Sequence, residues 1–127
     1  MSDQAVARYL TSLALPPCYR GYHYLCTALS LIENDPNLLQ YTIKWLYPAI
    51  REHHPESSIA KIERSVRTAL RVIWQNCPSD RLERLFGFFP TAQPTPKQFI
   101  SYLFLDYSAQ KMGSNSTSNM RASASSS

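Results

Sequence analysis

Hydrophobic residues recur along most of the chain at the three- and four-residue spacing of amphipathic helices. No segment alternates hydrophobic and polar residues with a period of two over a convincing length, so we predict no β-sheet. Prolines and polar clusters divide the helical pattern into separate blocks. The pattern therefore predicts an all-α protein, folded as a compact bundle of about six helices.

Prolines, a glycine and polar turns set the predicted ends of these helices. Pro16 and Pro17 end the first helix, because proline cannot continue the hydrogen bonding of a helix interior. Pro48 is interpreted as the first residue of a separate short helix, a position that tolerates proline. Gly87 ends another short helix, and Thr95 opens the last one. The predicted helices span residues 3–15, 21–33, 38–46, 48–53, 58–76, 79–85 and 96–109.

The longest uninterrupted pattern, from Ser58 to Asn76, has two opposed faces. At about 100° per residue, its hydrophobic residues fall in one arc and its basic residues fall roughly opposite. The small residue Ala60 lies among the basic ones, which lets the helix axis come close to another surface. The hydrophobic arc consists of Ile62, Val66, Ala69, Leu70 and Ile73, and the opposite face of Lys61, Arg64, Arg67, Thr68 and Arg71, with Glu63 at the border.

A short helix, a tight turn and this long basic helix follow one another over residues 48–76. That order predicts a helix-turn-helix motif, in which the second helix lies in the major groove of DNA. Backbone N–H groups at the start of the long helix, with the hydroxyl of Ser57 or Ser58, would contact phosphates. We expect Lys61 and Arg71 to contact phosphates as well.

Base edges would be read by Glu63, Arg64, Arg67 and Thr68. An arginine can bond guanine O6 and N7 bidentately, and Glu63 could accept from a cytosine amino group. The same spacing also fits a solvated amphipathic helix in which Glu63 and Arg67 form an i,i+4 ion pair. The helix pattern alone leaves both interpretations open.

The composition fits one small domain over residues 1–111, with no secretion signal and no membrane span. At 127 residues and 44% hydrophobic content the chain is long enough to bury a core, and its mild net charge of +4 permits an anionic partner. Three cysteines without paired spacing favour a reduced, cytosolic setting. Residues 112–127 contain almost nothing to bury, so we predict a disordered serine-rich tail.

Catalytic, metal and cofactor chemistry have no recognisable motif in this sequence. The histidines and cysteines lack zinc-ligand spacing, and three glycines form no phosphate-binding loop. No motif surrounds a nucleophilic serine. We therefore predict a protein that is not an enzyme and holds no metal and no cofactor, and we expect Trp45 and Trp74 to be core aromatic residues.

Five short motifs between residues 14 and 107 occur in the order, and near the spacing, of one known family. The central motif, Ile62 to Ala69, is similar to that family's valine-glutamate-arginine-x-isoleucine-arginine-x-alanine recognition helix. The chain resembles the C-terminal DNA-binding domain of the sporulation stage 0 response regulator A family. The other motifs are Gly21-Tyr22-His23-Tyr24-Leu25, Leu46-Tyr47-Pro48-Ala49-Ile50, Leu85-Phe86-Gly87, and Pro94-Thr95 followed by Phe99-Ile100.

The resemblance implies an all-helical domain that binds a short asymmetric DNA box, usually as tandem copies. It also implies that Glu63, Arg64 and Arg67 occupy the base-reading positions. Further partners implied are an RNA polymerase sigma subunit, contacted through about Asp80 to Phe86, and a second protomer, contacted on DNA through the last helix. We accordingly predict a transcription regulator in the bacterial cytoplasm, associated with the nucleoid.

Several features depart from the family pattern. Thr68 stands where the family usually has histidine, and Arg51 stands where it prefers a small residue. The turn from His53 to Ser57 contains Pro55 and is one residue longer. No stretch before Leu15 could hold a receiver domain, so we expect a stand-alone DNA-binding relative that is regulated in some other way.

A second interpretation keeps the fold but assigns it to a different class of function. The domain would be a protein-interaction module that pairs with a full-length relative or another partner and has lost specific DNA binding. The presence of Glu63, Arg64 and Arg67 argues against this alternative, because a domain freed from DNA has no evident need for them. RNA binding has less support, since no RNA-stacking motif occurs.

Overall fold

The chain folds into helices joined by short turns. The computed structural model describes the backbone of residues 2–88 and 90–124 and the side chains of residues 4–88 and 90–111. Over those residues it contains six α-helices and no β-strand, which confirms the predicted all-α bundle. The helices are α1 (Ser2–Ser12), α2 (Arg20–Asn34), α3 (Tyr47–His53), α4 (Ile59–Asn76), α5 (Ser79–Phe86) and α6 (Pro96–Ala124), with a 3₁₀ helix (Pro36–Gln40) and a π-helical turn (Thr42–Leu46) between α2 and α3.

Helix α2 approaches α4 very closely at Gly21. Gly21 is buried, and a Cβ atom added to it would lie 2.2 Å from the carbonyl oxygen of Ser65 and 2.6 Å from the Cβ of Ala69. Both distances are too short for real atoms, so only glycine fits between the two backbones. The buried face of α2 then packs along α4, and this pair forms the centre of the bundle.

One hydrophobic core includes residues from all six helices. The whole hydrophobic arc predicted for α4 is buried in it. Trp74 packs at its edge, with its ring centroid 6.3 Å from that of Phe86. Within the part of the chain that the structure describes, no helix is both long and apolar enough to cross a membrane.

A polar network joins α1, α5 and α6. The Tyr9 hydroxyl donates to Oδ2 of Asp106 at 2.7 Å, and Nη2 of Arg81 donates to the same oxygen at 3.0 Å. The side chains of Arg81 and Asp106 are only 12% and 14% exposed, so solvent screens their ion pair weakly. Burial and the Asp106 carboxylate raise the pKa of Tyr9, which keeps this phenol protonated as a donor.

The segment between α2 and α3 differs from the single helix predicted over residues 38–46. The chain first forms the 3₁₀ helix, whose start is capped by Asp35, and then extends at Tyr41 (φ −137°, ψ 92°). A π turn follows and runs directly into α3, in which Pro48 is the second residue. Proline lacks an N–H, and its ring would clash with the carbonyl four residues earlier, which favours a widened turn before it. Trp45, which we expected in the core, lies in this turn and is 42% exposed, so that prediction is wrong.

Two predicted helix ends are confirmed by their geometry. Gly87 ends α5 in the left-handed conformation, with φ 81° and ψ 1°. At the start of α6, the Thr95 hydroxyl accepts the N–H of Gln98, and the Gln98 side chain accepts the N–H of Thr95, each at 3.3 Å. This reciprocal pair is a capping box.

Helix α6 does not end near Ala109, where we predicted its end, but continues to Ala124. The residues after Ala109 include no proline and a single glycine, so no strong helix breaker interrupts the backbone. The side chains of residues 112–127 lie outside the described residues. The predicted disorder of this tail therefore stays a prediction.

Replacing Gly21 by alanine should destabilise the fold, although alanine normally stabilises a helix relative to glycine by up to about 1 kcal/mol. The added methyl group would force α2 and α4 apart, and overpacking of this kind costs about 1–3 kcal/mol. We expect the melting temperature, measured by circular dichroism, to fall by roughly 4 °C for each kcal/mol of net destabilisation. His23→Ala, at an exposed position of the same helix, is the control and should change it little. A Gly21→Ala protein as stable as the wild type would contradict the close crossing.

Truncation after Lys111 tests the proposed domain boundary. If residues 112–127 contribute nothing to the core, the shortened chain should melt within about 2 °C of the full chain, as expected for changes remote from packed contacts. A larger loss, measured by the same thermal scan, would show that the tail packs against the domain.

Candidate nucleic-acid interface

Helix α4 begins with a side-chain cap that fixes its first turn. Ser58 is extended (φ −82°, ψ 161°), and its Oγ accepts the backbone N–H of Lys61 at 3.1 Å. The exposed hydroxyl can still donate its own hydrogen. The first N–H groups of any helix lack a partner within it, and the helix dipole is positive at this end. The start of α4 is therefore suited to contact an anion such as a phosphate.

The basic side chains of α4 lie on the face opposite its buried arc. Arg64, Arg67, Thr68 and Arg71 are exposed. Four cations and one carboxylate give this face an excess of positive charge. We refer to Lys61, Glu63, Arg64, Arg67, Thr68 and Arg71 together as the basic surface of α4, in which Lys61 and Glu63 are half-buried.

Two contacts within the basic surface restrain its side chains. Nη2 of Arg67 lies 3.2 Å from Oε2 of Glu63, which is the i,i+4 ion pair anticipated from the spacing. Such an exposed pair contributes only about 0.3–0.5 kcal/mol, so either partner can be redirected to a ligand at low cost. The Thr68 hydroxyl donates to the carbonyl oxygen of Arg64 at 3.1 Å. Thr68 therefore offers a ligand its methyl group and its acceptor lone pairs rather than its hydroxyl hydrogen.

The turn between α3 and α4 is fastened to α2 by two side-chain hydrogen bonds. The hydroxyls of Tyr24 and Ser57 are 2.5 Å apart, and Thr27 Oγ1 lies 2.9 Å from Nε2 of His54. The rings of Tyr24 and His54 also meet edge to face, with centroids 5.0 Å apart. These contacts fix the angle at which α4 leaves the turn.

The expected phosphate contact by Ser57 is contradicted by its position. Ser57 is 1% exposed, and its hydroxyl is occupied by Tyr24. Its backbone N–H donates to the carbonyl of His54 at 2.9 Å. Ser57 is too buried to reach a phosphate, whereas the neighbouring Ser58 is exposed and retains this role as a prediction.

Arg51 and Tyr47, two residues of α3 that were not predicted as parts of the site, contact or lie close to the turn and to α4. Nε of Arg51 donates to the carbonyl oxygen of Ser57 at 3.2 Å and so braces the longer turn. Tyr47 of α3 is buried, and burial raises its pKa to about 12, with the nearby carboxylate of Glu63 adding to this effect. Ser57 is hydrogen-bonded by Arg51, 6 residues before it, and by Tyr24, 33 residues before it. Helical periodicity does not predict contacts at these separations.

The exposed groups of the basic surface are suited to binding rather than to catalysis. Guanidinium groups bond bidentately to phosphates and to guanine, and a carboxylate accepts from an amino group. Among the described residues, no three histidine, cysteine, aspartate or glutamate side chains come together as metal ligands would. The exposed groups of the basic surface are therefore suited to recognise an anionic surface that offers hydrogen-bond donors and acceptors.

Comparison with known proteins identifies one family. The chain matches the family model described as sporulation initiation factor Spo0A C terminal over residues 6–106. That range includes α2, α3, α4 and α5 in full, together with the basic surface. The domain that this family describes is a DNA-binding effector domain of a transcription regulator. The resemblance drawn from the five sequence motifs is thereby confirmed.

The Tyr24–Ser57 contact can be tested by a double-mutant cycle. Tyr24→Phe removes one hydroxyl and leaves the buried Ser57 hydroxyl unsatisfied, which should cost about 1–3 kcal/mol of unfolding free energy in urea. Ser57→Ala should cost a similar amount for the same reason. The double variant should cost less than the two together, because no unpaired group remains. Strict additivity would show that the two hydroxyls do not interact.

Proposed function

The chain belongs to the family of Spo0A C-terminal domains, which are DNA-binding effector domains, and we propose that it is a sequence-specific helix-turn-helix transcription regulator. Helices α3 and α4 form the motif in this proposal, and α4 lies in the major groove. The observation that carries the proposal is the basic surface, which is turned to solvent on a helix whose opposite face is buried.

The roles within the basic surface follow from reach and chemistry. Arg64 and Arg67 are the long exposed donors at the centre of α4, and we assign them to base edges together with Glu63 and Thr68. Lys61 and Arg71, toward either side of that centre, are assigned to phosphates, along with Ser58 at the helix start. Glu63 pairs with Arg67 in the free protein, and because this exposed pair is weak, both side chains can turn to base edges at low cost.

The proposal also includes two protein partners, each assigned to a helix rather than to individual contacts. Helix α5 exposes Asp80, Glu83 and Arg84, while its hydrophobic residues pack inward, so it offers a charged surface to a sigma subunit of RNA polymerase. Helix α6 exposes Leu105, whose exposed fraction is 62%, which suits a contact between two copies bound to neighbouring boxes.

The first experiment is a binding titration of the full chain against a double-stranded box of the family type and a scrambled duplex. At near-physiological salt we expect a preference for the box of roughly a hundredfold or more, because specific sites typically exceed random DNA by at least that factor. Equal and weak binding to both duplexes would contradict the proposal. That result would favour the alternative, a protein-interaction module without specific DNA binding.

Variants of the basic surface should separate base reading from phosphate contact. Arg64→Ala and Arg67→Ala should each reduce the preference for the box by about 5- to 150-fold, corresponding to about 1–3 kcal/mol per bidentate contact. Lys61→Ala and Arg71→Ala should weaken binding to both duplexes alike and lower the slope of log K against log salt by about one.

Arg8→Ala on α1 is the matched control, since it removes the same charge from an exposed position outside the motif. Its salt slope and its preference should equal those of the wild type. If Arg64→Ala and Arg67→Ala still discriminate the two duplexes as the wild type does, α4 is not the recognition helix.

A further inference from the structure

The segment that joins the 3₁₀ helix to α3 exposes three large hydrophobic side chains close together. Tyr41 is 52% exposed, Ile43 is 62% exposed and Trp45 is 42% exposed, all within five consecutive residues. We call these three residues the aromatic patch. Single exposed hydrophobic residues are ordinary on protein surfaces, whereas a cluster with two large aromatic rings is typical of a binding surface.

The two aromatic residues of the patch are restrained by contacts with each other and within their turn. The rings of Tyr41 and Trp45 meet edge to face, with centroids 4.8 Å apart. The carbonyl oxygen of Tyr41 accepts from the N–H of Trp45 at 2.8 Å and from that of Leu46 at 3.1 Å, which closes the π turn. A rigid aromatic surface loses little conformational entropy when it binds.

A groove of about 460 Å³ lies beside Trp45. The half-buried residues Leu38, Pro48 and Ala49 give it an apolar lining. The carboxylates of Asp35 and Glu52 also line it, together with the ammonium group of Lys44. Glu52 forms no ion pair or side-chain hydrogen bond with any other described residue, so its carboxylate is available to an occupant.

The chemistry of this groove selects against nucleic acid and in favour of a cation. Its two carboxylates outnumber its single ammonium group, in contrast to the basic surface of α4, so the groove favours a cation over a phosphate. A guanidinium group fits both features of the groove, because it stacks on an indole ring and pairs with carboxylates. The apolar lining in turn suits aliphatic side chains on either side of such a cation.

We propose that the aromatic patch and the groove beside it bind a segment of a partner protein in which an arginine is flanked by aliphatic residues. The guanidinium group lies against Trp45 and pairs with Glu52 or Asp35, and the aliphatic side chains contact Ile43 and the groove lining. This surface shares no residue with the basic surface of α4. Pro48, Ala49 and Glu52 belong to α3 of the proposed helix-turn-helix, but peptide binding is measured without DNA and so tests this proposal separately from the proposed function.

The test uses the full chain and three capped five-residue peptides as probes. The first is acetyl-alanine-leucine-arginine-leucine-alanine-amide, the second has glutamate in place of arginine, and the third has alanine in place of both leucines. Binding is followed by ¹H–¹⁵N chemical-shift changes. We expect the arginine peptide to saturate with a Kd of about 1 mM or below, with shifts confined to residues 35–52 and the Trp45 indole. The other two peptides should bind at least about fivefold more weakly.

Two variants and a matched control link the binding to the surface. Trp45→Ala and Glu52→Gln should each raise the Kd of the arginine peptide at least about fivefold, since each removes one contact to the guanidinium group. Glu56→Gln makes the same charge change at an exposed position in the turn after α3 and should leave the Kd unchanged. If Trp45→Ala does not fold, as judged by its thermal scan, the shift map of the wild type and Glu52→Gln still decide the question.

Several results would overturn the proposal. The first is that the glutamate peptide binds as tightly as the arginine peptide. The second is that the chemical-shift changes map outside residues 35–52, and the third is that the arginine peptide shows no saturable binding. Loss of DNA affinity in the Trp45→Ala protein would instead assign the patch to a nucleic-acid contact. Self-association in sedimentation experiments that disappears in Trp45→Ala would assign it to a second copy of this chain.

Discussion

The close approach of α2 to α4 at Gly21 is the contact on which the position of the basic surface depends. It brings α2 near enough for Tyr24 and Thr27, about one and two turns further along, to reach Ser57 and His54 in the turn before α4. With a larger residue at position 21 the helices would separate, and these short hydrogen bonds would lengthen or break. The lack of a side chain at Gly21 of α2 thus influences the orientation of α4.

Local signals in the sequence predict much of this architecture. The two faces of α4 are both encoded by one helical period, so burial of the arc and exposure of the arginines follow from the same pattern. Gly87 and Thr95 act through neighbours within a few residues, and each performs the predicted capping role. The sequence is sufficient to predict a residue's structural role where that role depends only on neighbours within about one helical turn.

Roles that depend on distant residues were not predictable in this way. Ser57 and Ser58 are adjacent and chemically identical, but Ser57 is buried against Tyr24 of another helix whereas Ser58 is exposed. Trp45 is hydrophobic and was expected in the core, but the π turn before Pro48 points it to solvent. The Arg81–Asp106 pair likewise joins residues 25 positions apart and has no signature in the periodicity.

The fastening of the turn to α2 has a consequence for how a duplex would be recognised. Tyr24, Ser57 and His54 leave α4 little freedom to rotate relative to the rest of the bundle. When a rigid protein surface meets a duplex, the duplex is the partner that bends, twists or changes its groove width. The energy of that deformation depends on base steps that no side chain touches. Under the proposed function, part of the sequence preference would then come from the stiffness of the DNA itself.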